Sequence, residues 1–198
     1  MSNFVKGTTL ATNEWNLLRY PVVAEPEQKQ AGKTVIFKVT GTEAATPETI
    51  AAFALPAGKI IVPLKVWLAR RDELAPRLAA GELGVWFESF ELIEDLVERV
   101  EDINVFPVIA WDFVRFADGR GFSSAALLRQ RYGYRNELRA IGDVLRDQLF
   151  FMRRCGFDAY ELRADRSVEE ALTGFKDFSE PYQASVHIDQ PVWRRHAR

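Results

Sequence analysis

A repeated handover constrains the fold of this chain more than any other feature. From Lys59 onward, a short β-like apolar run gives way to a turn and then to a helical period, five times over. The β-like runs fall at residues 59–62, 84–88, 106–113, 138–141 and 159–162. The helical stretches fall at 63–80, 91–101, 123–132, 144–154 and 167–175. Leu92, Ile93, Leu96, Val97 and Val100 repeat at the spacing of one helix face. Residues 106–113 are almost continuously apolar, as expected of a strand covered on both faces. Such an alternation implies a parallel α/β sheet with right-handed crossovers. Two architectures satisfy it. One is an open three-layer sheet with helices on both faces. The other is an incomplete (β/α) barrel, closed or capped by the N-terminal segment. Five units fall short of the usual eight-unit barrel, so the open sheet is favoured.

The flanks read differently. Residues 15–20 and 34–40 are short β-like runs joined by a polar segment holding Glu25, Pro26, Gln28 and Gly32. They predict a loose antiparallel pair. Thr46-Pro47-Glu48-Thr49 predicts a short helix with Thr46 as its N-cap, closed by Pro56 and Gly58. After Lys176 no period survives, and with Pro181 and Pro191 the tail is expected to lie across the body. The expected division is an N-terminal extension at 1–55, an α/β core at 56–176 and an irregular tail at 177–198.

Composition narrows the function classes. A chain of 198 residues with 47% apolar and 27% charged residues can bury a sizeable core as one domain. A formal net charge of −2 offers no general attraction to nucleic acid or to anionic membranes. No apolar run reaches the roughly 18 residues of a spanning helix, and the N-terminus lacks a basic-then-apolar signal pattern. A soluble cytoplasmic protein is expected. The single cysteine, Cys155, excludes an internal disulfide and a CxxC redox pair. At a helix end beside Gly156, it reads as a small buried hydrophobe. His187 and His196 both lie in the tail, which argues against a Ser-His-Asp triad or a histidine-rich metal site. Acids offset the run Arg129, Arg131, Arg135 and Arg139, so nucleic-acid binding is not expected.

A parallel sheet aligns its handover loops along one edge, where ligands bind. On that edge Arg115, Asp118, Gly119, Arg120, Gly121 and Ser123 form the strongest local candidate. Glycines allow close backbone approach, a following helix offers unpaired N–H groups, and Arg120 could grip a sulfate-, phosphate- or carboxylate-like group. The competing reading is an Asp-Gly turn with Ser123 as an ordinary N-cap and Arg120 paired to Asp118 or Asp112. The run is neither a Walker A loop nor a GxGxxG fingerprint. Gly142 and Asp143 repeat the arrangement one unit later. Asp143 is expected to open a helix, sharing a face with Asp147. Such a pair either caps and stabilises a first turn or holds Mg²⁺, and no metal is assigned. Glu88, Asp112 and Glu161 stand near strand ends. They could supply a general base, or they could neutralise Arg115, Arg139 and Arg163. No residue pattern names a cofactor.

The segments Asp118-Gly119-Arg120-Gly121-Phe122-Ser123, Leu127-Leu128-Arg129, Tyr132-Gly133-Tyr134, Glu137 through Gln148, and Arg154-Cys155-Gly156-Phe157-Asp158 carry a resemblance. They resemble a bacterial domain-of-unknown-function family encoded beside assimilatory sulfite reductase. The resemblance is dense from Asp118 to Asp158 and thinner over residues 62–88, where Pro63, Leu64 and Trp67 fit. The first 50 residues match poorly. The family usually has proline near Val114, threonine at Ala117 and glycine at Asn136; the missing threonine removes a hydroxyl from the candidate loop. The resemblance implies a role in reducing sulfite to sulfide, often described loosely as an oxidoreductase, and supplies no established catalytic residues. No cysteine pair, cluster-ligand spacing or dinucleotide fingerprint accompanies it. The expected function is therefore an accessory of sulfite reduction that binds a small anion or the reductase. The alternative is an independent α/β enzyme using the carboxylate-rich edge for acid/base or hydrolytic chemistry.

Overall fold

All five predicted strands form, close to their expected bounds, in the computed structural model, which describes residues 3–20 and 45–195. They are β4 (Ile60–Pro63), β5 (Leu83–Phe87), β6 (Val108–Phe113), β7 (Glu137–Gly142) and β8 (Ala159–Glu161). Three short strands precede them: β1 (Phe4–Lys6), β2 (Thr9–Leu10) and β3 (Asn16–Leu17). All eight join one sheet in the order β2-β1-β8-β7-β6-β5-β4-β3. Strands β3 to β8 are mutually parallel and lie side by side in chain order, while β1 pairs antiparallel with both β2 and β8.

That order corrects the favoured architecture. Consecutive parallel strands joined by right-handed crossovers put every crossover helix on one face, so the three-layer sheet does not form. The helices are α2 (Leu64–Ala69), α3 (Arg71–Ala79), α4 (Glu94–Val97), α5 (Arg120–Gln130), α6 (Arg146–Cys155) and α7 (Val168–Thr173), preceded by α1 (Pro47–Ala51). A side-chain carbon added at Gly121 of α5 would stand 2.6 Å from the rings of Trp111 and Phe113, so that face of β6 meets the helices. The other face carries Pro63, Trp86, Ala110, Arg139, Ala159 and Lys6, in register from β4 to β1.

The sheet is curled into a half-barrel, and the chain between its edges shows why. Among the described residues, β2 and β3 are the two outermost strands, which in a flat sheet of eight would stand about 34 Å apart. Yet Leu10 and Asn16 are joined by a strap that can span only about 20 Å when fully extended. The strap therefore draws the edges together and crosses the concave face, where Asn13 accepts a hydrogen bond from Arg139 of β7 at 3.0 Å.

Other expectations are adjusted. The predicted antiparallel pair of 15–20 with 34–40 falls on residues 34–40, which lie outside the described residues; Asn16 and Leu17 pair parallel with Ile60 and Ile61. The helix expected over 63–80 breaks at Arg70, whose backbone leaves the helical region while its guanidinium holds Glu73 and the Phe53 carbonyl. The helix expected over 91–101 contracts to α4, and Leu92 is exposed. Thr46 and Ser167 cap α1 and α7 as expected, each accepting a backbone N–H three residues on. The tail packs back on the body through Arg154, which donates to the Gln183 and Ala184 carbonyls, and its described residues include α8 (Val192–Arg195). Among the described residues, no helix is long and apolar enough to cross a membrane.

Candidate functional site

Six parallel strands in chain order place all their C-terminal ends at one mouth of the half-barrel. Around that mouth, the β5 end is the most deeply charged. Glu88 follows Phe87 directly and is buried, with Lys65 of α2 3.3 Å from its carboxylate. Glu91, also buried, turns its carboxylate back to accept the Glu88 backbone N–H at 2.7 Å. This turn keeps Glu91 out of the helix that its neighbours' period predicts. Burial pushes the Glu91 carboxyl up to about 7, and the nearby Glu88 charge adds to the effect. Burial likewise raises Glu88, against the lowering pull of Lys65.

Tyr20 joins this cluster from the N-terminal segment. Its ring packs edge-on against Phe53 and Trp86, and its hydroxyl is sealed from solvent with no hydrogen-bond partner among the described residues. Burial, together with the Glu88 and Glu91 charges, holds that hydroxyl firmly protonated. Beside it, Arg19 lies over the Trp86 ring and donates to Asp112 at 3.0 Å, while the Trp86 indole N–H donates to the Leu18 carbonyl. Tyr20, Lys65 and Glu91 were not among the sequence candidates. The spacing Glu88-x-x-Glu91 at a strand end was the available signal, obscured by the helical period that begins at Glu91.

The Asp118–Ser123 loop is occupied by its own residues. Arg120 makes a two-pronged pair with Asp118, at 2.9 and 2.7 Å, and reaches Ser89 Oγ at 2.8 Å. The pairing holds Asp118 below the usual carboxylate range. The helix starts earlier than expected: Gly119 is its N-cap, without a side-chain hydrogen bond, so Arg120 and Gly121 lie in its first turn and Ser123 does not cap it. Gly121 permits helix–sheet packing against Trp111 and Phe113 rather than approach of a ligand. Arg115 accepts the Asp118 backbone N–H at its carbonyl, closing the turn.

At the β7 end, Gly142 has φ +91, and a side-chain carbon there would meet the Phe113 carbonyl at 2.5 Å. Asp143 does not open the next helix, whose N-cap is Leu145. Its carboxylate instead ties two loops together, accepting the Phe116 N–H at 2.8 Å and pairing with Arg163 at 2.9 Å. Asp147 is exposed and pairs with its neighbour Arg146, so the expected Asp143–Asp147 face is absent. Arg163 also grips Asp165 at 2.6 Å. Glu161 is half-buried, and one of its carboxylate oxygens has no hydrogen-bond partner among the described residues. Behind this edge, Val144, Leu145, Arg146, Asp147, Arg166 and Ser167 help line a cavity of about 230 Å³ between α6 and α7.

Arg139 does not belong to the mouth. Its guanidinium turns to the opposite end of the strands, held by Glu137 at 2.6 and 2.8 Å and by Asn13, over the Phe4 ring. Cys155 also lies at that far end, because α6 runs back from the mouth; burial pushes its thiol up to about 11. Of the sequence candidates, the mouth brings together Glu88, Asp112, Asp118, Arg120, Gly142, Asp143, Glu161 and Arg163 at successive strand ends. Among the described residues, no group of three acidic, histidine or cysteine side chains is disposed to hold a metal ion.

No curated protein matches this chain. Residues 84–193, which span β5 to α8 and most of this mouth, match the model of a family of bacterial proteins of unknown function. The chain belongs to that family, DUF934.

Proposed function

We propose that the chain is an accessory protein of assimilatory sulfite reduction, binding a small anion or the reductase and carrying no redox chemistry itself. The observation that carries this reading is the placement of the only sulfur nucleophile. Cys155 stands at the end of the half-barrel away from the charged mouth, with its thiol pushed up to about 11, so it is protonated at neutral pH. The resemblance from Asp118 to Asp158 supports the sulfite-reduction context. A deletion strain tests it. Growth should fail on sulfate or sulfite as sole sulfur source and return with sulfide or cysteine, and the purified protein should bind or stimulate sulfite reductase. Normal growth of the deletion strain on sulfate would overturn the reading.

The anion arm has its own test. An anion at Arg120 must displace the Asp118 carboxylate, so sulfate, sulfite or phosphate should raise the melting temperature of the wild type but not of Arg120→Ala. Absence of any such shift in the wild type removes the anion and leaves the reductase as partner.

One observation favours a second reading, an independent enzyme using the carboxylate edge. Glu91, pushed up to about 7 beside Glu88, is poised to exchange a proton at neutral pH. That reading requires turnover by the protein alone on a panel of esters, phosphoesters and glycosides, abolished in Glu91→Gln.

A further inference from the structure

We propose that the cavity between α6 and α7 binds an α-amino acid with an apolar side chain, as the zwitterion. The inference stands apart from the sulfite-reduction reading and concerns residues outside the Asp118–Ser123 loop. The cavity is built into the fold. Val144 and Leu145 line it from the loop after β7, Leu162 from the end of β8 and Ala171 from α7. Val144, Leu162 and Ala171 are almost fully buried, so its inner wall is apolar. Three polar ties hold the surrounding chain in place. The Arg163 backbone N–H donates to the Val144 carbonyl at 3.3 Å, joining the two loops. Gln148, buried, accepts the Leu145 N–H and donates to the Phe116 carbonyl. Arg146 reaches from α6 to Thr173 Oγ1 of α7 at 3.0 Å.

The ligand class follows from the charges that line the cavity. Arg146, Asp147, Arg166 and Glu170 all do so, two of each sign. The first two are committed: Arg146 pairs with Asp147 at 3.2 Å and with Asp177 at 2.6 Å. The other two are not. Arg166 meets Asp165 only at 3.8 Å, and Arg163 already holds that carboxylate at 2.6 Å. Glu170 makes no ion pair and no side-chain hydrogen bond among the described residues. Only four positions separate Arg166 from Glu170 in the chain, yet the two do not pair with each other. One open cation and one open anion suit a ligand that carries both charges. A plain anion would meet Glu170 and Asp147, and a plain amine would meet Arg166. A guanidinium donates two N–H groups to a carboxylate, and an ammonium donates to a carboxylate in turn, so a zwitterion satisfies both. At about 230 Å³ the cavity holds roughly eight non-hydrogen atoms at a water molecule's share of volume each, the size of an amino acid and too small for a nucleotide or a peptide.

The test follows the backbone amides of residues 144–147 and 162–171 by NMR while the full chain is titrated with L-leucine. Glycine, 4-methylpentanoate, 3-methylbutylamine and sulfate serve as comparisons. L-Leucine should shift these amides saturably and bind about tenfold more tightly than glycine, through its apolar side chain. 4-Methylpentanoate lacks the ammonium and 3-methylbutylamine the carboxylate, so each should bind about fivefold more weakly, the effect of one partly exposed ion pair. Arg166→Gln should weaken L-leucine about fivefold without weakening 3-methylbutylamine. Glu170→Gln should weaken L-leucine by a similar factor without weakening 4-methylpentanoate. Both positions are exposed, so the variants keep the fold. No saturable shift with L-leucine, equal or tighter binding of glycine, sulfate or either single-charge analogue, or full affinity in either variant would each overturn the proposal.

Discussion

The two ends of the half-barrel use buried charge in opposite ways. At the N-terminal end of the strands, polar groups are numerous and mutually committed. Arg139 is held by Glu137 and Asn13, and Lys6 takes the remaining Glu137 oxygen at 2.8 Å. Arg129 distributes its N–H groups over the Gly156, Tyr134 and Asn136 carbonyls and Asp158. Tyr134 donates its hydroxyl within the same region, to the Phe106 or Glu137 carbonyl. At the mouth, by contrast, Glu91 is poised near neutrality; unpartnered buried polar atoms occur at both ends, the Tyr20 hydroxyl and a Glu161 oxygen at the mouth and Arg77 Nη1 and Arg154 Nε at the other. A committed network fixes a shape, whereas a carboxyl poised near neutrality can still exchange its proton. The comparison sets the mouth apart by buried carboxyls pushed up by burial, with Glu91 at about 7, rather than by its number of charges.

The largest expected effect comes from breaking the committed end. Arg139→Ala removes the buried partner of Glu137 and leaves Lys6 to hold that carboxylate, and should cost about 3 kcal/mol, read from denaturant unfolding. A loss below about 1 kcal/mol would mean that the two ends do not differ as described. At the mouth, Glu91→Gln should change the pH dependence of stability. The folded-state value of about 7 lies above the ordinary 4.5, so the native state binds this proton more tightly than the unfolded chain. Its stabilising contribution is therefore full below about pH 4.5 and is lost as pH rises through about 7, by roughly 3 kcal/mol at most. Wild type and variant should differ most in slope across that window, measured by urea unfolding from pH 4.5 to 8; parallel curves would place Glu91 among ordinary carboxylates. The smallest effect belongs to Cys155→Ser, about 1 kcal/mol or less. The native thiol, half-buried and protonated at neutral pH, should react slowly with thiol reagents. Rapid labelling of the folded protein would move reactive chemistry to the end assigned here to structure.

Strands and some caps were legible in sequence because their signals are local. Thr46 and Ser167 cap their helices through bonds to residues three places away. The order of the strands was not legible. Alternation of β and α segments fits either side of a sheet, and only the hydrogen-bonded neighbours distinguish a curled, consecutive arrangement from a doubly covered one. The start of α5 was misplaced for a related reason. A serine three residues into the run resembled a cap, but Gly119 turns the chain without any side-chain bond, leaving Arg120 for Asp118 and Ser89. The carboxylates at strand ends were readable one by one. Tyr20 was not, because its carboxyl neighbours come from a distant part of the chain and its own surroundings hold no acid/base pattern.

The strap between Leu10 and Asn16 also bears on how the molecule assembles. β1 finds its parallel-sheet neighbour only in β8, so Phe4 must wait for Glu161 to be synthesised before the two can pair. β3, a few residues later, can dock on β4 much earlier. During synthesis β1 thus has to wait until β8 has emerged before it can be seated against it. Pairing across such a sequence separation slows folding and lengthens exposure of unpaired strand edges, which makes this seam the step at which a chaperone would matter most.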